Sequence, residues 1–319
     1  LEISSNLSKK LKICDHVVGN LEGPLLRKGR KKWKQYSACI YNEFRFFEKL
    51  ISDLNLTHVS IFNNHIGDYG IEGIEETIEL LDELGIIILK NISQINNTKI
   101  LNTGLLEYSG YFYSSKLYKY GFRLLDLLLK DKDDFTNFFQ GKMIINGHFG
   151  IEKIKGISNT EISFFESLLS LGPNLLIRHQ PHSIQDPFFL NKKEIYTSIG
   201  DFCFSNYLHS KSEGLLVIYD EDINETIYYK LYCDGYKVDL LDKEKFRVKN
   251  KKPLMFSKKI KKELKERLIK EYRVSPKLSF KRILKTLLSK EDSFFTIFQS
   301  STDHIQPFII NELFNYDEI

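Results

Sequence analysis

A chain of 319 residues with 42% hydrophobic and 28% charged side chains has the apolar material for a large core, and one main domain with a smaller addition is the expected organisation. No run approaches the ~20 apolar residues of a membrane-spanning helix. Cys14, Cys39, Cys203 and Cys233 are too scattered for a disulfide framework or a zinc knuckle, which leaves buried free thiols. The net charge of +4 is uneven: residues 242–290 hold 19 Lys and Arg against 5 Asp and Glu, +14, leaving −10 elsewhere. A uniformly basic protein is thereby excluded and a basic C-terminal segment is not.

The chain opens Leu1-Glu2-Ile3-Ser4-Ser5 without Met or a secretory pattern, so a missing N-terminal segment is expected and compartment stays open. Val17-Val18 reads as a strand that ends at Gly19-Asn20 and leads into a Gly- and Lys-rich loop through Lys34. Thr57–Phe62 is a short β-type run stopping at Asn63-Asn64-His65. Ile71, Ile74, Ile78, Leu81 and Leu84 recur at helical spacing until Gly85, and Ile86–Leu89 reads as a strand buried on both faces.

Residues 108–140 are aromatic and helical in pattern. Met143–Asn146 is a strand ending at Gly147-His148-Phe149-Gly150, and Glu161–Leu171 an amphipathic helix. Leu175–Ile177 runs into Arg178-His179-Gln180-Pro181-His182, and Ile195–Ile199 into Gly200-Asp201. Leu215–Tyr219 and Thr226–Cys233 form a predicted hairpin. Short apolar runs alternating with helical patterns give an α/β layered fold.

Strand ends on one edge of such a sheet are where ligand sites form. His65, His148, His179 and His182 all sit at such ends, whereas His16, His58, His209 and His304 do not. A single His after a strand is commonly a satisfied turn residue. Three such loops together with Asn20-Leu21-Glu22 point instead to a shared polar site. Imidazoles with a carboxylate and an Asn carbonyl suit Mn, Fe or Zn, and scattered cysteines exclude thiolate chemistry.

These segments resemble the CapA family of capsule and poly-gamma-glutamate synthesis proteins. Asn20-Leu21-Glu22-Gly23-Pro24 is similar to its Asn-Leu-Glu motif, and Asn63-Asn64-His65 with Asp68-Tyr69-Gly70 to its Asn-Asn-His…Asp-Tyr-Gly signature. Gly147-His148-Phe149-Gly150-Ile151-Glu152 resembles His-Trp-Gly-x-Glu, and His179-Gln180-Pro181-His182 with Gln185 resembles Gly-His-His-Pro-His-x-x-Gln. Tyr196-Thr197-Ser198-Ile199-Gly200-Asp201-Phe202 resembles Tyr-Ser-Leu-Gly-Asn-Phe. The five motifs stand in family order across residues 15–205.

The resemblance implies a calcineurin-like metallophosphoesterase fold, a four-layer αββα sandwich over residues 1–240, with a basic helical appendage over 241–319. It implies two divalent metals (Mn, Fe or Zn) held by Asn20, Glu22, Asn64, His148, His179 and His182. It also implies metal-activated water attacking a phosphoester or surface polymer, with His65 as general acid. Asp68 would orient His65 or cap the helix near Ile71, with the cap favoured; Glu152 would support a ligand from behind or be a solvated loop residue. The family's opening Gly-Asp motif is absent from the chain. Gln180 stands for a family His, Arg178 for a Gly and Asp201 for an Asn. Gln cannot replace imidazole as a strong ligand, and an Arg charge near the site would repel a cation. The resemblance therefore implies a metal-dependent hydrolase of capsule or surface-polymer biosynthesis, with a non-catalytic polymer-binding subunit as the alternative. Family members are often surface-anchored.

Past Ser257, Ile260, Leu264 and Leu268 mark a Lys-rich amphipathic helix capped by Ser257, and Leu278, Ile283, Leu284, Leu287 and Leu288 a second. These read as a packed appendage with a solvated basic face, or as a surface for an acidic polymer, the capsule-synthesis machinery or an anionic membrane. Nucleic acid is not expected, for no binding motif accompanies the charge.

Overall fold

The computed structural model describes residues 1–29, 40–63, 65–90, 92–104, 141–148, 150, 153–203, 211–241, 245–249, 252–260, 262–263 and 266. Expectations for Cys39, Asn64, residues 108–140, Glu152, the second C-terminal helix and most of the first lie outside the described residues. In chain order the elements are β1 (Glu2–Ile3), α1 (Ser5–Lys12), β2 (Val18–Asn20), β3 (Leu25–Leu26), β4 (Asn42–Glu43), α2 (Phe44–Leu54), β5 (His58–Ser60) and α3 (Gly70–Glu83). There follow β6 (Ile87–Ile88), β7 (Ile92–Ile95), β8 (Thr98–Gly104), β9 (Lys142–His148), α4 (Asn159–Leu169) and β10 (Leu175–His179). The last are β11 (Phe188–Leu190), β12 (Lys193–Tyr196), β13 (Ser212–Asp220), β14 (Glu225–Cys233) and β15 (Lys237–Leu240).

The fold is α/β, built on several sheets. A six-stranded sheet runs β11-β12-β10-β9-β8-β7; β12, β10, β9 and β8 are mutually parallel, with antiparallel β11 and β7 on the edges. Parallel strands need covering on both faces. Residues of one parity, Leu101, Met143, Ile145, Leu176 and Ile195, pack with Phe165 and Leu168 of α4. Those of the other parity, Ile144, Leu175, Ile177 and Tyr196, pack with Leu215, Val217 and Tyr228 of the β13-β14 hairpin. That hairpin belongs to a four-stranded sheet ordered β1-β15-β14-β13. Its other side, Leu216, Leu231, Cys233 and Val238, joins α1, α2, α3 and the parallel β2-β5-β6 sheet in the largest cluster.

Local signals explain the helices. Ser4 caps α1, accepting from Leu7 N at 3.2 Å, and Leu7 and Leu11 bury one stripe. α2 buries Phe44, Phe47 and Leu54 and stops at Asn55, whose left-handed φ of 53° ends the helix. Ser158 and Glu161 form a reciprocal capping box on α4. Ile260 N donates to Ser257 Oγ at 3.2 Å, the predicted cap of the C-terminal helix. Phe246 pairs with Tyr228, and Ile157 with Met255, so both of these segments past Leu240 lie on the body.

Two local expectations are corrected. β6 is an edge strand with Ile87 57% exposed, so Ile86–Leu89 is not buried on both faces. Asp68 does not cap α3: the N-cap is Tyr69, without a side-chain cap bond, and Asp68 Oδ2 instead faces His65 Nδ1 and Ile40 N.

Candidate metal centre

The parallel strands point their C-terminal ends to one edge, and the polar loops collect there. Asn20 ends β2 and Glu22 follows it; Leu21 N is held by Ser60 O of β5 at 2.9 Å. Fully buried Asn63 staples this loop to the one after β5. Its Oδ1 accepts from Gly23 N and His65 N, both at 3.2 Å, and its Nδ2 donates to Leu21 O at 2.8 Å. Glu22 and His65 are thereby brought side by side. His148 and His179 are register partners at the ends of β9 and β10, their rings stacked with centroids 6.4 Å apart. His182 lies beyond a bend in which Gln180 and His182 take left-handed φ of 82° and 50° around Pro181; such conformations cost energy and cluster at functional sites.

The side chains converge on one atom. Glu22 Oε1 lies 3.4 Å from His182 Nε2, 3.9 Å from His148 Nε2 and 4.0 Å from His65 Nε2. It is buried and makes no well-formed hydrogen bond among the described residues; the 3.4 Å approach of His182 is an ion-pair contact. Ligands sharing a tetrahedral ion at ~2.1 Å sit roughly 3.4 Å from one another, so these spacings suit co-ligands better than hydrogen-bonded partners. Buried Asn20 Oδ1 also finds no partner among the described residues. The donor set of carboxylate, amide oxygen and imidazole fits a borderline divalent cation. Its closure is incomplete: among the described residues no group of three or more His, Cys, Asp or Glu is set to hold an ion.

Each histidine has a distinct setting. His65 Nδ1 bonds Asp68 Oδ2 at 2.7 Å, and the same oxygen accepts from Ile40 N at 2.9 Å. His182 Nδ1 bonds Asp201 Oδ1 at 2.7 Å. Burial lowers the His182 pKa, but the Asp201 and Glu22 carboxylates outweigh it and hold it at about 10. His148 is pushed well below the usual imidazole value by burial and then by His179, His182 and His65. His179 falls to about 4 through burial and the charge of His182. His179 Nε2 is turned to Asn146 Oδ1 at 2.9 Å rather than to Glu22.

Of the sequence-derived residues, Glu22, His65, His148 and His182 meet at one point, Asp68 backs His65, and Asn20 and His179 stand at the same edge. Asn64 lies outside the described residues. The expectation that Arg178 would repel a cation is corrected. Alternation along β10 puts it on the face opposite His179, where its buried guanidinium pairs with Glu161 and donates to Thr197 O and, at 3.1 Å, to Gln185 Oε1. Gln180 is 2% exposed and its carboxamide makes no well-formed hydrogen bond, though it lies close enough to raise the His148 pKa slightly. Sequence reasoning missed Asn63, Asn102 and Asn146. The doubled Asn63-Asn64 offered a signal for the first; the other two carried none.

A family model described as the bacterial capsule synthesis protein PGA_cap matches residues 2–89, the stretch containing Glu22, His65 and Asp68. The PGA biosynthesis protein CapA of Bacillus subtilis (strain 168) is 23% identical over 231 residues, 66% of this chain and 59% of that protein. The capsule biosynthesis protein CapA of Bacillus anthracis is likewise 23% identical over 231 residues, 67% of this chain and 56% of its own length. Over these stretches the chain is similar to capsule synthesis proteins of the CapA type. It spans less than two thirds of either relative's length. Among solved structures, a single mutant of Vps29 from Entamoeba histolytica aligns at 12% identity and a TM-score of 0.32, covering 73% of this chain and 98% of that one. Wild-type Vps29 with Zn2+ from the same organism aligns at 12% and 0.29, over 72% and 97%. Likenesses of that size carry no argument.

Proposed function

We propose that this chain is a metal-dependent hydrolase of capsule or surface-polymer biosynthesis, with a four-layer αββα architecture of the calcineurin-like type. The observation that carries the reading is the convergence of three imidazoles on the orphaned Glu22 Oε1. Glu22, His148 and His182 would hold the cation, with Asn20, Asn64 and His179 completing a two-metal set of Mn, Fe or Zn. Such ions, when bound, supply an activated water and stabilise developing negative charge.

The chain's own residues do the rest. Asp68 accepts from His65 Nδ1, which fixes the ring. His65 Nε2 is then the atom that gives a proton to the leaving oxygen of a phosphoester or polymer substrate. Asp201 anchors His182 from behind in the same manner. With His65 4% and His148 1% exposed, bulk water is kept from the reacting atoms.

Elemental analysis of protein loaded with Mn2+ or Zn2+ tests this, beside Glu22→Gln and His148→Ala, with hydrolysis of an aryl phosphate as the activity readout. Bound metal lost in both variants, with turnover that His65→Ala abolishes, is expected. A folded wild type that holds no metal overturns the reading. Metal without turnover favours the polymer-binding subunit, to which the Gln180 replacement of a family imidazole points.

A further inference from the structure

The parallel register of the six-stranded sheet lines up a second set of polar side chains just inside the histidine edge. Asn102 of β8 is the register partner of Asn146 of β9, on the face that carries His148 and His179. Asn102 Nδ2 donates to the backbone carbonyl of Lys90 at 2.7 Å. Asn146 Nδ2 donates to Asn102 Oδ1 at 2.9 Å, and Asn146 Oδ1 meets His179 Nε2 at 2.9 Å.

The direction of this chain follows from its first member. A backbone carbonyl only accepts, so the Asn102 atom facing Lys90 O must be the NH2 group. Its oxygen therefore faces Asn146, which must present NH2 in turn and leave its own oxygen toward the ring. The ring nitrogen meeting that oxygen must be a donor. In a neutral imidazole one nitrogen holds the proton and the other the lone pair.

We propose that Asn102 and Asn146 are positioning residues that lock neutral His179 as its Nε2–H tautomer, so that only Nδ1 offers a lone pair to the site. This deepens the metal-centre reading, but the tautomer itself does not depend on a metal being bound. A ring nitrogen committed to an outer partner fixes which nitrogen can ligate, and loss of such a partner costs about 10- to 100-fold in metal affinity.

The first test is the metal-free protein at pH 8, labelled with 15N on histidine, in which ring nitrogen shifts and couplings report the tautomer of His179. Wild type should show Nε2–H; Asn146→Leu and Asn102→Leu should shift His179 toward Nδ1–H or a mixture. Assignment is by the signal missing in His179→Gln. Nδ1–H in the wild type, or unaltered Nε2–H in Asn146→Leu, overturns the proposal. The second test is Zn2+ titration, in which Asn146→Leu should bind about 10- to 100-fold more weakly. Should no variant or wild type bind metal while the tautomer behaves as stated, the metal-centre reading fails and this one stands.

Discussion

Strand β10 separates two buried polar clusters that differ in one respect. On one face Arg178 meets Glu161, Thr197 O and Gln185, and Gln185 in turn donates to Ile154 O at 2.8 Å and Gly156 O at 3.3 Å. Glu161 uses its second oxygen on Ser158 N at 2.8 Å. On the other face Glu22 Oε1, Asn20 Oδ1 and both polar atoms of Gln180 are buried without a well-formed bond among the described residues. Burial of a polar group costs free energy unless a partner compensates it. The closed cluster is its own compensation and braces the bend between His179 and Gln185. The open one retains the cost, as a site does when its partner comes from outside the chain.

The contrast breaks most visibly on the closed side. Glu161→Gln or Arg178→Ala leaves a buried charge unpaired and should destabilise the fold by about 3–5 kcal/mol, read by urea unfolding. An effect below about 1 kcal/mol would show the cluster to be reached by water.

Gly200 comes next. It has φ of 66°, and a Cβ there would lie 2.3 Å from Glu213 O, so Gly200→Ala should cost about 2 kcal/mol and shift Asp201 off His182. Unfolding midpoints and the His182 ring signals check both parts.

On the open side, Glu22→Gln removes the buried ion-pair contact with His182 but no well-formed hydrogen bond, so metal-free stability should fall by less than in the closed-side variants while metal binding is lost. A large loss of metal-free stability would place Glu22 among the closed, structural groups instead.

The smallest expected effect lies outside both clusters. Burial, and then neighbouring His16, depress the His58 pKa in the folded state. As pH falls below the ordinary ~6.5, the unfolded chain takes up that proton first and stability declines; above it the contribution is fully present. His58→Gln should flatten that acid-side slope slightly, seen as a difference between the two unfolding-versus-pH curves.

The fold was largely legible because hydrophobic period and strand-end chemistry agreed along most of the chain. β2, β5, α3, β9, α4, β10 and the β13-β14 hairpin fall where periodicity put them. α1 and α2 went unread: α1 buries only Leu7 and Leu11, and α2 presents no side-chain cap. The strand-end histidines were legible because loops after parallel strands have one edge to share. What sequence could not supply was parity. Whether Arg178 faces the histidines depends on which face of β10 meets α4, and the motif alone does not contain that. The same holds for Asp68, whose commitment to His65 and Ile40 is a matter of loop geometry. Asn102 and Asn146 become partners through the register of β8 and β9, strands that lie far apart along the chain.

Those long separations also bear on how the molecule is made. Parallel pairings between distant strands form slowly, because loop-closure entropy is spent before their contacts repay it. The edge exists only when segments from Glu22 to Asp201 have all come home. A nascent or partly folded chain therefore has little with which to hold a cation, and an ion that binds the finished form alone stabilises it by mass action. On the proposed metal-centre reading, a newly made chain in a cell short of metal would complete its fold without the ion, and its lifetime against unfolding would then follow the supply.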